Sequence, residues 1–187
     1  MSCNYNTKII TDGLVLCLDA GDPKSYNGSG TTWFDRSGNG INGSIENGAI
    51  YDNDLKLFVF DGINDHILIN NFPAIFEGSI SMCGWFYFNE SNARDLLFGS
   101  YNEALAKVNI EKYTSDTLRL WWNNGANDIY TPSNVVGVGW HYICIQRNKE
   151  NATFDFFVND SLIYQPSVVS VDISTPATTF RIGKDTR

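Results

Sequence analysis

The chain has 187 residues, of which 43% are apolar, 14% aromatic and 18% charged, and its 13 basic and 21 acidic side chains give a net charge of −8. This composition suffices for one folded domain with a single core, and it excludes a disordered chain and a helical bundle. Lys and Arg do not cluster and no apolar run is long enough to span a bilayer, so we expect no nucleic-acid binding and no membrane insertion.

The amino terminus is polar, and the apolar stretch behind it is interrupted at residues 11–13. A secretory signal has a basic start, a longer apolar run and a small-residue cleavage site, and none of these is present. We therefore expect the protein to be made and folded in the cytosol.

Short apolar runs rich in Val, Ile and aromatic residues follow one another along the chain, separated by clusters of Gly, Asn, Asp, Ser and Pro. This pattern is typical of antiparallel strands joined by turns. The predicted strands are 14–18, 55–60, 66–69, 79–88, 95–101, 107–111, 117–122, 140–146, 153–158, 161–164 and 179–182. Residues 20–54 are rich in turn formers and are expected to form a surface excursion. So many strands without regular helices predict a sandwich or a barrel, and the alternation within strands favours the sandwich.

Four cysteines, Cys3, Cys17, Cys83 and Cys144, are widely spaced and contain no CxxC pair, which makes a zinc site improbable. Three of them lie in apolar runs, where a free cysteine behaves as a small hydrophobic residue. The expectation is a set of buried, reduced cysteines.

The strings GLVLCLDAGDPKSY at 13–26 and TTWFDRSGNG at 31–40 resemble laminin-G-like domains of the concanavalin A-like lectin/glucanase superfamily. Further segments similar to the strands of that family lie at 80–86, 140–143, 154–162 and 180–183, so that the resemblance covers nearly the whole chain. It implies one domain over 1–187, an all-β jelly-roll β-sandwich of two curved antiparallel sheets. Members of the family are mostly non-enzymatic modules that bind sugars or proteins, some of them with structural calcium.

The string at 18–43 is also similar to those common in phage and other virion structural proteins. This resemblance implies a virion-associated decoration or adhesion module of a capsid or tail, assembled in the host cytoplasm. Its partners would be other virion proteins or further copies of itself, together with a cell-surface glycan. Two alternatives stay open: a lectin domain excised from a larger surface or secreted protein, and a glucanase-like domain.

The family normally continues past its "IG" strand into a final strand that pairs near the amino-terminal strand. No counterpart of that strand follows Gly183 in this sequence. Two explanations are a chain cut after Arg187 and an edge completed by another chain, since an unpaired edge favours association.

Hydrolases of the superfamily carry their carboxylates on one strand as Glu-x-Asp-x-x-Glu or Glu-x-Asp-x-Glu, and no such string occurs here. The acidic residues near strands, Glu111, Asp116 and Asp155, are isolated in sequence, whereas glycoside hydrolysis needs two carboxylates flanking the scissile bond. His66 and His141 lie inside apolar runs and are expected to be structural. We therefore expect no enzymatic activity.

Calcium is the candidate cofactor, because it takes oxygen ligands from carboxylates, Asn side chains and loop carbonyls. Such residues occur in the turn-rich segments at Asp19, Asp35, Asn39, Asp61 and Asp65. The alternative is that these side chains hydrogen-bond their own turns.

A sugar site needs an aromatic ring beside polar groups, because a pyranose has an apolar face and a rim of hydroxyls. The candidate residues are Trp122, Asn123, Asn124, Arg119, Tyr101 and Tyr130. Adjacent residues of a strand face opposite sides, so one of Trp121 and Trp122 is expected in the core. The alternative is that both indoles are buried or form a protein interface, and Trp85 and Trp140 are expected in the core.

Overall fold

The structure, a computed structural model, describes residues 10–73, 78–91, 93–99, 108–122, 127–167 and 179–183. Within these ranges the chain forms fourteen strands and one short 3-10 turn at Thr114–Asp116. None of the described segments forms a helix long and apolar enough to cross a membrane. The predicted all-β class is confirmed.

The strands are short and follow one another along the chain. They are β1 (Thr32–Trp33), β2 (Gly43–Glu46), β3 (Ile50–Asp52), β4 (Leu57–Val59), β5 (His66–Asn70), β6 (Ile80–Phe88), β7 (Asp95–Gly99), β8 (Val108–Tyr113), β9 (Thr117–Trp122), β10 (Asn127–Tyr130), β11 (Gly139–Asn148), β12 (Thr153–Val158), β13 (Ser161–Tyr164) and β14 (Thr179–Ile182).

Two antiparallel sheets account for most of these strands. The larger has eight strands in the order β1-β2-β5-β14-β7-β8-β9-β10, and the smaller has four in the order β13-β12-β11-β6. Strands β3 and β4 form a separate hairpin. The apolar inner faces of the two sheets share one core, which is the predicted β-sandwich.

The core is built by period-two alternation. In the larger sheet Val108 and Ile110 of β8 lie opposite Trp122 and Leu120 of β9, and all four side chains are buried. In the smaller sheet the buried residues include Ile143, Ile145, Phe154, Phe156 and Val158. Each such side chain contributes about 1.5–3 kcal/mol when it leaves water, so the inward-facing residues fix which face of each strand points outward.

The amino-terminal part departs from the sequence-based prediction. Residues 14–18 form no strand but run half-buried, because their main chain is bonded to the 35–39 loop instead of to another strand. The Asp35 carboxylate accepts from Cys17 N at 3.0 Å, and Asn39 Nδ2 donates to Leu14 O at 2.9 Å. Residues 55–60 shorten to β4, since Lys56 takes a positive φ of 56° in a tight turn.

The 20–54 excursion contains β1, β2 and β3 and is tied to the core by aromatic contacts. The Tyr26 ring lies 4.8 Å from Tyr51 and 5.0 Å from Phe58, and Trp33 lies 4.5 Å from Phe58. The segment is therefore a packed part of the domain.

A groove of about 850 Å³ separates residues 14–18 from β6. Apolar side chains line much of it, including Leu14, Leu16, Met82 and Phe86. In the described ranges β6 is hydrogen-bonded to β11 alone, so it forms an edge of the smaller sheet. That another chain completes an unpaired sheet edge stays a prediction.

The cysteine prediction is wrong for two residues. Cys83 of β6 and Cys144 of β11 face one another across the ladder and form a disulfide, because the antiparallel register brings positions 61 residues apart into direct contact. Cys17 is free, and its pKa is raised by burial and by the nearby Asp19 and Asp35 carboxylates. Cys3 lies outside the described residues.

We expect Gly43→Ala to destabilise the fold by about 1–3 kcal/mol, because overpacking a close contact forces neighbouring atoms to shift. A Cβ at Gly43 would lie 2.6 Å from Cγ2 of the fully buried Ile67. Urea unfolding measures the change. Gly137→Ala is the matched control, since a Cβ there meets nothing within 4 Å. Equal unfolding midpoints for wild type and Gly43→Ala would contradict the packing described.

Candidate ligand-binding site

The outer face of the larger sheet carries an organised polar and aromatic surface on β8, β9 and β10. Glu111, Arg119 and Tyr130 lie side by side on these three strands. Asn109, Trp121 and Asp128 form the next row. Because Leu118, Leu120 and Trp122 point into the core, both rows point away from it.

Arg119 holds this surface together through two carboxylates. Its Nη1 donates to Glu111 Oε1 at 2.9 Å, and its Nη2 donates to Asp128 Oδ2 at 2.8 Å. The Tyr130 hydroxyl donates to the same Asp128 oxygen at 3.0 Å. The Asp128 carboxylate and the Tyr130 ring are therefore fixed relative to one another by charge-assisted hydrogen bonds.

Three aromatic rings surround the Arg119 guanidinium. Its Cζ lies 5.2 Å from the Tyr113 ring centroid, 5.6 Å from Trp121 and 5.3 Å from Tyr130, within the range of cation–π attraction. Burial acts to lower the pKa of Arg119, but the hydrogen bonds with Asp128 and Glu111 outweigh it and the pKa is raised. Burial, followed by the hydrogen bond to Asp128, raises the pKa of Tyr130.

Glu111 is shared between two arginines. Arg94 Nη2 donates to Glu111 Oε2 at 2.9 Å, in addition to the contact with Arg119, and only 5% of the Glu111 side chain is exposed. Glu111 is isolated from other acidic residues in sequence, and it gains its two arginine partners through contacts between strands. Glu111 is a buried support of the cluster, and its carboxylate is not accessible to a ligand.

Several polar atoms of this surface are buried without a hydrogen-bond partner in the part of the chain that the structure describes. They are Nδ2 and Oδ1 of Asn109, Nε1 of Trp121 and Nε of Arg119. An unpaired buried group costs about 1–3 kcal/mol. Within the described residues the site therefore has unused hydrogen-bonding capacity in its buried part, beside the exposed Tyr130 ring.

The reachable part of the site lies at its outer edge. Tyr130 is 40% exposed, and the Asp128 side chain is 35% exposed. Trp121 is half-buried. A ligand approaching from solvent would meet the Tyr130 ring and the Asp128 carboxylate first.

The structure brings together Arg119 and Tyr130 of the six predicted sugar-site residues. Trp122 is only 3% exposed, because its indole packs in the core 5.8 Å from the Phe154 ring, so its assignment as the stacking platform is wrong. Trp121 takes the outward position, as the alternation required of one member of the pair. Tyr101, Asn123 and Asn124 lie outside the described residues.

Sequence reasoning missed Asn109, Trp121 and Asp128 as members of this site. A signal was present for Trp121, which is two residues from Arg119 and so shares its face. Asn109 and Asp128 join only through the register with β9, which the sequence does not display.

The five candidate calcium ligands do not come together as one ligand set. Among the described residues no group of three or more His, Cys, Asp or Glu side chains is placed to hold a metal ion. Asp19 and Asp61 accept main-chain hydrogen bonds from Gly21 and Ile63, each at 2.8 Å, within their own turns. Asp65 accepts from Asp61 N, and Asn39 donates to main-chain oxygens. The contacts of the three aspartates match the alternative in which these side chains hydrogen-bond their own turns, whereas Asn39 bonds to the distant 14–15 main chain.

Asp35 has a clear structural role. Its carboxylate accepts hydrogen bonds from Cys17 N, from Ser37 N and Oγ, and from Ile41 N. Burial acts to raise the pKa of this carboxyl, but the hydrogen bonds outweigh it and the pKa is lowered. Asp35 therefore joins the 14–18 segment to the 35–41 loop.

A second aromatic surface lies on the opposite side of the sandwich. Trp85 and Tyr87 of β6 and Trp140 and Tyr142 of β11 point outward from the smaller sheet. Trp85 is 66% exposed and Trp140 48% exposed, so the expectation that both lie in the core is wrong. The inward positions of these strands are taken by residues of opposite parity, such as Phe86 and Ile143.

Comparison with known families and structures agrees with this architecture. Residues 61–187 match a laminin G family model described as the concanavalin A-like lectin/glucanases superfamily. No curated protein matches the chain.

Solved structures with the same fold include binding domains of botulinum neurotoxins. The serotype D/C VPI 5993 binding domain matches with a TM-score of 0.67 and 14% identity, over 93% of this chain and 44% of its own. A serotype DC binding domain in complex with rat synaptotagmin II matches with a TM-score of 0.65 and 18% identity, over 92% and 44%.

A third structure is that of botulinum neurotoxin type C, described as dependent for cell entry on interaction with two ganglioside molecules. It matches with a TM-score of 0.65 and 12% identity, over 93% of this chain and 43% of its own. The chain thus spans less than half the length of these domains, and at such identities the likeness concerns the fold.

We expect Asp35→Asn to be less stable than wild type at pH 7 by about 1–3 kcal/mol, through loss of charge-assisted hydrogen bonds. The unfolded pKa of an Asp carboxyl is about 3.9, and the folded pKa of Asp35 is lower. Such a carboxyl stabilises the folded state fully at pH values above its unfolded pKa, and this contribution is lost as the pH falls toward and through the folded pKa. The gap between variant and wild type should therefore shrink from pH 5 to pH 3, measured by urea unfolding.

Asp54→Asn is the control, because Asp54 is exposed and its substitution removes a charge without removing the hydrogen bonds that Asp35 accepts. A gap for Asp35→Asn that stays constant down to pH 3 would show that the Asp35 charge does not contribute.

Proposed function

The chain belongs to the concanavalin A-like lectin/glucanases superfamily, and on that premise we propose that it is a non-catalytic module that binds a glycan on the outer face of β9 and β10. The observation that carries the proposal is the arrangement of Arg119, Asp128 and Tyr130. An exposed ring stands beside a carboxylate whose orientation is set by ion pairing.

The chemistry of this arrangement suits a pyranose. The apolar face of the sugar stacks on the Tyr130 ring, and its hydroxyls donate to the Asp128 carboxylate. Oδ2 of Asp128 is engaged by Arg119 and Tyr130, while no described residue donates to Oδ1. Hydrogen bonds to a charged acceptor are the stronger kind, so this oxygen is the natural acceptor for a sugar hydroxyl.

The site is organised before ligand arrives. Arg119 is held by two carboxylates and three rings, so little side-chain freedom remains to be lost on binding. Rigid aromatic anchors give contact area at low entropic cost, which favours affinity.

Its carboxylates are poorly placed for glycoside hydrolysis. Hydrolysis needs one carboxyl on each side of the scissile bond, whereas Glu111 and Asp128 both bind Arg119 and Glu111 is almost fully buried. These contacts support a binding role over a catalytic one.

The structural neighbours support the same class of function. One of them is described in complex with a protein, rat synaptotagmin II, and another as interacting with two ganglioside molecules. For the present chain they support a glycan or a protein as ligand, and the exposed ring with an acceptor beside it favours the glycan.

A role in a virion remains our second proposal, supported by the similarity of residues 18–43 to virion structural proteins. In that setting the glycan site would serve adhesion from a capsid or tail. The Cys83–Cys144 disulfide fits a protein that works in an oxidising environment, as the surface of a released particle or a secreted lectin does.

We expect the purified chain to bind a defined glycan on an array, and Tyr130→Ala to weaken that binding at least tenfold, about 1.4 kcal/mol, by removing the stacking surface. Titration calorimetry with the selected glycan measures the effect, with and without EDTA. Tyr87→Ala, which removes an exposed tyrosine from the opposite sheet, should bind like wild type.

The folded chain binding no glycan, or Tyr130→Ala binding as tightly as wild type, would overturn this proposal. A reducing-sugar assay tests the non-catalytic role separately. Sugar release by wild type that Asp128→Asn abolishes would establish an enzyme instead.

A further inference from the structure

The outer face of the smaller sheet carries a four-ring array with a regular pattern. Trp85 lies opposite Tyr142 with ring centroids 5.4 Å apart, and Tyr87 lies opposite Trp140 at the same separation. Tyr87 is 56% exposed. The four rings form a lattice with the two indoles on one diagonal and the two phenols on the other.

This array lies in a surface that we call the aromatic face and define by its outward residues on β6, β11, β12 and β13, where Asp155 of β12 is a charged member at one side. Its apolar members are Trp85, Tyr87, Trp140, Tyr142, Phe157 and Leu162, with the Cys83–Cys144 disulfide between the strands. All outward residues of β6 and β11 within Ser81–Tyr87 and Trp140–Gln146 are uncharged. Aromatic enrichment with depletion of charge is the composition of a protein interface core.

We propose that the aromatic face is a self-association surface, on which a second copy of this chain stacks its own aromatic face. This interaction lies on the other sheet from the glycan site and goes beyond the proposed function.

The diagonal pattern makes the face complementary to itself. A two-fold axis in the plane of the interface, along or across the strands, places each indole of one copy over a tyrosine of the other. The larger ring of each pair then meets the smaller one, and offset aromatic pairs gain about 0.5–1.5 kcal/mol beyond their buried area. Face-to-face packing of two sheets is a common arrangement in β proteins.

The size of the face fits this partner. At the exposed fractions given above, and with about 150–250 Å² for a full aromatic side chain, Trp85, Tyr87 and Trp140 alone offer roughly 250–430 Å², to which the 51% exposed Leu162 adds. A standard interface buries about 800 Å² per partner, of which the apolar core is one part and a polar rim the rest.

The charge distribution of the chain also favours contact through the aromatic face. A chain of net charge −8 repels its own copies over most of its surface. The four-ring array brings two copies together through neutral residues of β6 and β11, so that no like charges meet at the centre of the contact. The resulting dimer would direct its two Tyr130 sites away from one another, so that it could engage two glycans at once.

The test is sedimentation velocity of the full chain from about 1 µM to about 1 mM. We expect a concentration-dependent shift from monomer to dimer, and a lower dissociation constant when added salt screens the repulsion. Trp85→Ala and Trp140→Ala should each raise the dissociation constant at least tenfold, as loss of a central aromatic anchor does.

Phe34→Ala is the matched control, because Phe34 is an exposed ring away from this face, and it should dimerise like wild type. Tyr130→Ala should also dimerise like wild type, which separates this inference from the glycan proposal. Circular dichroism confirms that each variant is folded, and Tyr87→Ser provides a further variant if one Trp substitution fails to fold.

A wild-type chain that stays monomeric over the whole range would overturn the inference. So would a dimer that persists unchanged in both Trp variants. Loss of glycan binding by monomeric Trp85→Ala would also overturn it, since the face would then be a glycan platform.

Discussion

The period-two alternation of inward and outward side chains along the antiparallel strands is the constraint on which the rest of this structure depends. Once Leu118, Leu120 and Trp122 enter the core, Arg119 and Trp121 have to point outward, and the register places Glu111, Asn109, Asp128 and Tyr130 beside them. The same constraint on β6 and β11 turns Trp85 and Trp140 toward solvent. Both candidate surfaces are therefore consequences of core packing.

The two outer faces differ in how they satisfy their polar groups. The outer face of the larger sheet pairs its charges, with Glu111 bound to both Arg94 and Arg119, and Arg119 bound also to Asp128. Removing one partner of such a buried pair leaves an uncompensated charge, so these networks fix side-chain positions strongly. The smaller sheet carries almost no charge on its outer face. One surface thus suits a polar ligand, and the other suits an apolar contact.

The groove beside β6 and the half-buried 14–18 segment have one cause. The segment is bonded through Asp35 and Asn39 to a loop, so its main chain follows the turn-rich excursion instead of joining a sheet. This leaves apolar side chains on both sides of the groove only partly covered. The amino-terminal excursion therefore depends on side-chain-to-backbone hydrogen bonds where the rest of the domain depends on strand ladders.

The sequence by itself determined the all-β class and most strand positions, because alternation and turn residues are local signals, and it favoured the sandwich and named Arg119 and Tyr130 as candidates for the site. It also required that Trp121 and Trp122 face opposite ways. Only the tertiary structure decided which of the two is buried, that Asn109 and Asp128 join the site, that Cys83 meets Cys144, and that Trp85 and Trp140 are exposed. Alternation states that neighbours diverge but not which side is inside, and the register between distant strands is set by packing that no short stretch of sequence contains.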